Sequence, residues 1–414
     1  MVYLDNAATT FPKPECVTQA ILRGMRLSAN PGRSGHFMSR RASEEVFAVR
    51  KKAADFFGAS PDRVIFTQNC TQSLNTAING LVCQGDHVIT SSLEHNSVMR
   101  VLHRLHKDGG ITYDTAQVYE GDDERTLASF EEKIRKNTSL IVCTHASNVF
   151  GSVLPVEKIG MLAKGYGLKF IVDGAQSAGV LPIDIKKMNI DALCIPGHKG
   201  LYGAMGTGLL MLSEGCSMRP LIFGGTGSES LNPDQPDIYP DRLESGTLNL
   251  PGIMSIGAGI DFVEGRGIKQ IHNYEAQLCR ELYSYLRNIK GVSLLSSADS
   301  LRTVPLIAFN CKGLHSEEVA ERLDRHGICV RAGYHCAFQA HKYRKTSEQG
   351  AVRVSLGVFN TKNDVKKFKL LVNSNGDLVN VNVNDNITLK DMLKNKISSI
   401  IDSKVFHLEQ VYAL

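Results

Sequence analysis

Nowhere does the 414-residue chain approach the ~20 consecutive apolar residues of a membrane span, so no membrane role is expected. Met1-Val-Tyr-Leu-Asp5 has no basic stretch leading into an apolar one, which predicts no secretory signal. The ten cysteines are scattered, with no Cys-x-x-Cys pair and no metal-ligand spacing, so no metal site is expected either. Several, such as Cys143, Cys194 and Cys329, sit in apolar runs where cysteine behaves as a small hydrophobe, and a reduced, cytoplasmic setting is expected. Charge of one sign is scarce: the net charge is +5, with Lys and Arg interspersed among Asp and Glu. That pattern reads as a mixed solvated surface and not as a nucleic-acid-binding patch. What remains, 43% hydrophobic and 21% charged residues, is an ordinary globular composition on a chain long enough for two domains.

Asp191-Ala-Leu-Cys-Ile-Pro-Gly-His-Lys199 organises the rest. Ala192 to Ile195 reads as a buried strand that stops at Pro196-Gly197, with His198-Lys199 just beyond it. A lysine at the mouth of a sheet can have its ammonium pKa lowered by burial and can form a Schiff base with an aldehyde, although most lysines so placed are solvated. Upstream, Phe170-Ile-Val-Asp173-Gly-Ala-Gln176 is again a strand ending in a carboxylate and an amide. A pyridoxal phosphate enzyme needs a lysine and a carboxylate opposite the pyridine nitrogen, and consecutive strand ends bring Asp173 and Lys199 to one crevice.

Three earlier strand-like runs also end in polar groups. Val64-Ile-Phe66 leads to Thr71, Asp86 to Thr90 leads to His95, and Leu140 to Cys143 leads to Asn148. Thr71 suits a phosphate at a helix N-terminus or a plain N-cap. In an open α/β sheet, ligands bind at the carboxyl ends of the strands. Thr71, His95, Asn148, Asp173, Gln176, His198 and Lys199 are therefore expected to converge. Arg33 and His36, in the turn-rich Ala29 to His36, are either ligand groups or parts of a structural turn. The Pro-rich connection from Phe223 to Asn249 reads as a surface loop or a subunit contact.

From about Ile253 the pattern changes to helical spacing through residue 290, strand-like Val304 to Phe309, a helix opening at His315, and strand-like Ile328 to Val330. Arg331-Ala-Gly-Tyr-His335-Cys336-Ala-Phe follows. Cys336, on a loop after a strand and beside His335, is a candidate thiolate nucleophile or one more cysteine of no special role. Arg353, in Ala351-Val-Arg353-Val, suits a bidentate grip on an α-carboxylate or a buried ion pair.

Together these motifs resemble the fold-type I, class V aminotransferase-like enzymes, and within them the group II cysteine desulfurases and selenocysteine lyases, over roughly residues 2–372. The resemblance implies a large, mostly parallel-sheet α/β domain (13–252) and a smaller α+β domain (1–12 and 253–373). It implies pyridoxal 5'-phosphate held by Thr71, His95, Asp173, Gln176, His198 and Lys199, with Thr247 reaching the phosphate of a neighbouring subunit in a homodimer with shared sites. Lys199, Cys336 and His95 are then catalytic, and Asn148, Arg331 and Arg353 meet the substrate. The implied reaction takes sulfur from L-cysteine as a persulfide on Cys336, destined for a sulfur-acceptor protein, and leaves L-alanine. The alternatives are L-selenocysteine as substrate, or another class V reaction with Cys336 incidental. Three positions depart from the family pattern. Pro196 and Cys70 stand where hydroxyl residues are common and predict weaker phosphate binding. Tyr334 replaces the first His of His-His-Cys.

Thr361-Lys-Asn-Asp364 resembles a capping box for a last helix ending near Asn373. Residues 374–414 read as an additional hairpin–helix extension.

Overall fold

Apolar runs of four to seven residues, separated by amphipathic stretches, give the chain its layers. The structure, a computed structural model, describes residues 1–371 apart from Ser28, Arg33, Ala298, Ser300 and Leu301. The Arg33 candidate and the 374–414 extension therefore lie outside the described residues.

The strands are β1 (Val2–Tyr3), β2 (Val64–Thr67), β3 (Asp86–Ser91), β4 (Ile111–Ala116), β5 (Thr138–Thr144), β6 (Lys169–Asp173) and β7 (Ala192–Pro196). After them come β8 (Gly208–Leu212), β9 (Val292–Leu294), β10 (Leu306–Cys311), β11 (Ile328–Cys329), β12 (Arg331–Gly333) and β13 (Ala351–Ser355). Seven of them form one sheet in the order β2-β8-β7-β6-β5-β3-β4, in which β8 alone runs against the others. This is the mostly parallel α/β sheet that the sequence predicts. Both faces are covered: Leu74, Ile78, Val98 and Leu102 pack on one side, and Phe57, Phe130 and Ile159 on the other. Hence β7 and β8 are buried throughout and read as continuous apolar runs. A fully buried Leu, Ile or Phe contributes about 1.5–3 kcal/mol, so the strand ends that lead to Asp173 and Lys199 are anchored in the buried core. Edge strand β4 has a half-exposed, polar centre (Thr112 to Thr115), and no apolar run announced it.

A second sheet, β12-β13-β10-β9, is antiparallel. Its β10 begins at Leu306 and not at Val304, because Pro305 has no N–H to give to a ladder. β1 pairs in parallel with β11, and Asp5 bridges to Ser355, so the first residues lie with the last third of the chain.

Helices Glu15–Arg26 and Phe37–Phe57 pack against helix Leu250–Arg266. A Cβ at Gly24 would sit 2.6 Å from Pro251 Cα, which shows how closely they approach. The domain boundary expected at 252–253 falls in the first turn of Leu250–Arg266. The helical spacing to residue 290 resolves into two helices, because Gly267 (φ +81°) breaks the run before Ile268–Arg287. At the last helix, Lys362–Leu371, the expected capping box is present: Thr361 N–H donates to Asp364 Oδ2 (2.9 Å), and Asp364 N–H donates to Thr361 Oγ1 (3.3 Å). His36 is a structural N-cap, its Nδ1 accepting from Ser39 N–H at 3.2 Å.

Candidate active site

The carboxyl ends of β5, β6 and β7 open into a cavity of about 110 Å³. Cys70, Thr71, His95, Ser97, Asn148, Asp173, Gln176, His198 and Lys199 are among its lining residues. All seven residues expected to converge on the sheet do so. Asp173 ends β6 opposite Cys194 of β7. It is buried, and its Oδ1 accepts from Ala175 N–H at 2.9 Å. Three residues past β7, Lys199 is placed by a close backbone approach: a Cβ on the following Gly200 would come 2.2 Å from the Ala178 carbonyl oxygen. Burial pushes the Lys199 amine below its ordinary range; the Asp173 carboxylate opposes that shift, and Arg353 and Arg331 reinforce it.

Thr71 is the second residue of helix Cys70–Leu81, and the N-cap is Asn69, whose side chain accepts from Gln72 N–H at 2.9 Å. The plain N-cap reading of Thr71 is thereby corrected. Asn69 satisfies only one of the first-turn N–H groups, so the others, with the helix dipole, form an anion-attracting end of the cavity. Thr71 Oγ1 lies 2.9 Å from Ser97 Oγ, which lies 2.7 Å from His95 Nδ1. Burial lowers His95 to a pKa of about 4. The ring is therefore neutral at pH 7, and because Nδ1 also accepts from Ser97 N–H (3.0 Å), the proton resides on Nε2. His198 is likewise lowered to about 4 by burial, with Lys199 and Lys13 adding to the effect, and its buried Nδ1 has no partner among the described residues. Gln176 directs Nε2 to the Ala7 carbonyl at 3.1 Å.

A larger groove of about 580 Å³ shares Thr71, His95 and Ser97 with this cavity and adds Arg100 and Cys336. Cys336 is exposed, with Arg331 Nη2 at 3.8 Å from its sulfur. His335 (φ +49°) and Cys336 (φ +56°) are consecutive left-handed, non-glycine residues, which costs of order 1–3 kcal/mol each. Bonds from three elements hold the pair: Asn148 Nδ2 donates to His335 O (2.6 Å), Asn96 N–H to Cys336 O (2.7 Å), and His335 Nε2 meets Ala351 O (3.0 Å).

The profile of the aminotransferase class-V family matches residues 2–368. A Pyrococcus abyssi protein named "Probable cysteine desulfurase" is 35% identical over 89% of this chain and 92% of its own. The cysteine desulfurase of Yersinia pseudotuberculosis is 32% identical over 89% and 91%. The chain belongs to the class V aminotransferases, in the cysteine desulfurase family. Among solved structures, the apo cysteine desulfurase of Thermococcus onnurineus superposes with a TM-score of 0.82 at 34% identity, over 89% of this chain and 92% of that one. An Escherichia coli cysteine desulfurase in its S-sulfonic acid form gives 0.79 at 26%, again over 89% and 92%. Enzymes of this family depend on pyridoxal phosphate, and their substrate is L-cysteine.

Three expected site residues, Arg331, Thr247 and Arg353, line neither the cavity nor the groove. Thr247 is exposed. The segment before it is clamped by Glu244, whose two carboxylate oxygens accept a buried pair of hydrogen bonds from Arg50 (2.9 and 2.8 Å). Arg353 is fully buried, its Nη2 on Asp5 Oδ1 (2.6 Å) and its Nη1 on Asn148 O (2.8 Å), and only Nε has no partner among the described residues. The ion-pair reading of Arg353 is thus present, and Asp5 competes with any carboxylate ligand.

Sequence reasoning did not single out Ser97, Thr144 or Glu94. Ser97 was detectable only as the hydroxyl two residues after His95. Glu94 is wholly buried; burial raises it to about 8, while Ser91 Oγ and Thr144 N–H donate to its Oε1. Among the described residues no cluster of His, Cys, Asp or Glu could hold a metal ion, and no helix is long and apolar enough to cross a membrane.

Proposed function

We propose that this chain is a pyridoxal phosphate-dependent cysteine desulfurase that converts L-cysteine to L-alanine and carries the sulfur as a persulfide on Cys336. The observation that carries the reading is the shared wall. Thr71, His95 and Ser97 line both the cavity holding Asp173 and Lys199 and the groove holding Cys336.

The residues present fit the cofactor. Asp173 would face the pyridine nitrogen and Lys199 Nζ the aldehyde carbon. His95 would lie over the ring, and Gln176 would meet the phenolic oxygen. The phosphate would take Thr71, the first-turn N–H groups of helix Cys70–Leu81, and the unpartnered His198 Nδ1. Pro196 adds no donor there. Pyridoxal phosphate, when bound, supplies an electron sink for carbanion chemistry at the substrate Cα.

The chain's own groups do the rest. Lys199, whose amine burial pushes below its ordinary range, is the group placed to take the proton from Cα. Neutral His95 holds a proton on Nε2 at the same cavity. The Cys336 thiolate attacks the substrate sulfur; the Cβ–S bond breaks, its electron pair stays on Cβ, one proton completes the methyl group, and the proton taken by Lys199 returns to Cα to leave alanine. Arg331 Nη2 lies 3.8 Å from the Cys336 sulfur, and Arg353, held by Asp5 and the Asn148 carbonyl, would meet the α-carboxylate only by giving up its bond to Asp5.

The exposed Thr247, with exposed Leu221, Phe223 and Leu231 on the same connection, supports a homodimer in which Thr247 meets the phosphate of a second copy. An exposed Cys336 suits hand-over to an acceptor protein, and the free cysteines suit a cytoplasmic setting. The large domain is assigned to 13–252 and the small one to 1–12 with 253–373.

The test is sulfide and alanine release from L-cysteine with a reductant present. Equal yields from the native protein and neither product from Cys336→Ala, with cofactor retained, support the reading. A fully active Cys336→Ala overturns it.

A further inference from the structure

Cys70 was noted as a departure at the phosphate end of the site, but its sulfur turns elsewhere. It is the first residue of helix Cys70–Leu81, is buried, and lines the cavity. Its Sγ lies 3.5 Å from Asp173 Oδ1 and 3.4 Å from the Cys194 carbonyl oxygen. The Cys194 oxygen already accepts from Gly174 N–H at 2.9 Å, whereas the carboxylate is charged, and a bond to a charged acceptor is the stronger one. Burial and the neighbouring carboxylate keep the thiol protonated, so it has a hydrogen to give. Asp173 Oδ1 therefore takes two donors, Ala175 N–H and Cys70 S–H. Its Oδ2 makes no hydrogen bond among the described residues.

We propose that Cys70 is a positioning residue whose S–H, together with Ala175 N–H, pins Asp173 Oδ1 and leaves Oδ2 turned to the cavity for a cationic ring nitrogen. This rests on the pyridoxal phosphate reading above and adds to it the group that orients the carboxylate. Where the sequence resemblance leads to the expectation of a hydroxyl at position 70, a thiol is the donor here, and its acceptor is Asp173.

The test uses the full-length holoenzyme loaded with pyridoxal phosphate 15N-labelled at the ring nitrogen, whose 15N chemical shift is followed with pH. A donor to Oδ1 withdraws charge from the carboxylate, so removing it makes Asp173 a better partner for a protonated ring. Cys70→Ala is expected to move the ring-nitrogen midpoint up by about 0.4–1 pH unit, the size of one ordinary hydrogen bond, since a thiol is a weak donor. Cys70→Ser, which keeps a donor, should return it toward native. Cys70→Val, which keeps the volume without a donor, should match Cys70→Ala and serves if the alanine variant does not fold. The titratable groups that face Asp173, namely Glu94, His95, Cys143, Cys194 and Lys199, are the same in all of these proteins.

An unchanged midpoint in Cys70→Ala and Cys70→Val, whatever the change in melting temperature, overturns the proposal. So does a shift that Cys70→Ser fails to reverse, since packing and not the donor would then be at work. Asp173→Asn separates the two levels of argument, because loss of the negative charge should move the midpoint down. If Asp173→Asn shifts it and Cys70→Ala does not, only the role of Cys70 falls. If Asp173→Asn leaves it unmoved, the pairing of Asp173 with the ring falls too.

Discussion

Lys199 and Cys336 are the two nucleophiles proposed for this site, and their surroundings are opposites. Lys199 follows a strand buried on every residue, is held by a glycine contact no side chain could tolerate, and has its amine pKa lowered by burial. Cys336 is exposed, sits on two left-handed residues, and has one arginine near its sulfur. The contrast follows from what each group must do. An amine that shuttles a proton gains from a dry, fixed setting, because desolvation is what makes it a base at neutral pH. A sulfur that must leave the protein needs an outward position, so its orientation comes from backbone bonds (Asn148 to His335, Asn96 to Cys336) and not from burial.

The largest effect that sharpens this contrast is expected from Lys199→Ala. It should lose at least about 10³-fold in kcat/KM, together with the covalent cofactor band in the visible spectrum. A variant that keeps both would remove Lys199 from the chemistry. Cys336→Ala should lose at least about 10²-fold in sulfide release while the cofactor spectrum stays native. Loss of cofactor as well would mean that the two regions are not independent.

The third expectation concerns acid stability, which the buried region should dominate. His95, His145, His198 and His341 are lowered to about 4, and His335 to about 2, each mainly by burial. Their unfolded value is near 6.5, so as pH falls through that value the unfolded chain takes up protons that the folded one refuses, and stability drops. Glu94 and Glu275, raised to about 8 by burial, act in the opposite sense, losing stability as pH rises from about 4.5 to 8. Five groups outweigh two, so the melting temperature should fall between pH 6.5 and pH 5. A flat profile would show that these histidines are solvated. The smallest effect is expected at Tyr334→His. Tyr334 is 44% exposed and touches His341 only edge-on, at 5.5 Å between ring centres. A substitution at such a site should change kcat/KM by no more than about threefold.

Much of the site was legible because several cavity-lining residues follow apolar runs. Asp173, Lys199, Thr71, His95 and Asn148 are all announced by the end of a buried strand, and strand ends of a parallel sheet meet at one edge. What was not legible depends on distances across the fold. Nothing near Arg353 in sequence points to Asp5, 348 residues away, and nothing near Cys70 points to Asp173. Ser97 and Glu94 were missed for the same reason: a serine on a helix and a glutamate in a loop look solvated until a partner from another element is seen. Edge strand β4 escaped notice because one neighbour and a half-exposed face relieve it of the need for an apolar run.

By itself the sequence determined the alternation of strands and helices, the family, and a set of side chains that line the cavity, since apolar periodicity and residue type are local properties. The tertiary structure decided which oxygen of Asp173 is left free, which tautomer His95 holds, and which ion pair Arg353 makes. Those outcomes depend on burial and on hydrogen bonds between elements far apart in the chain, which exist only once the sheets have packed.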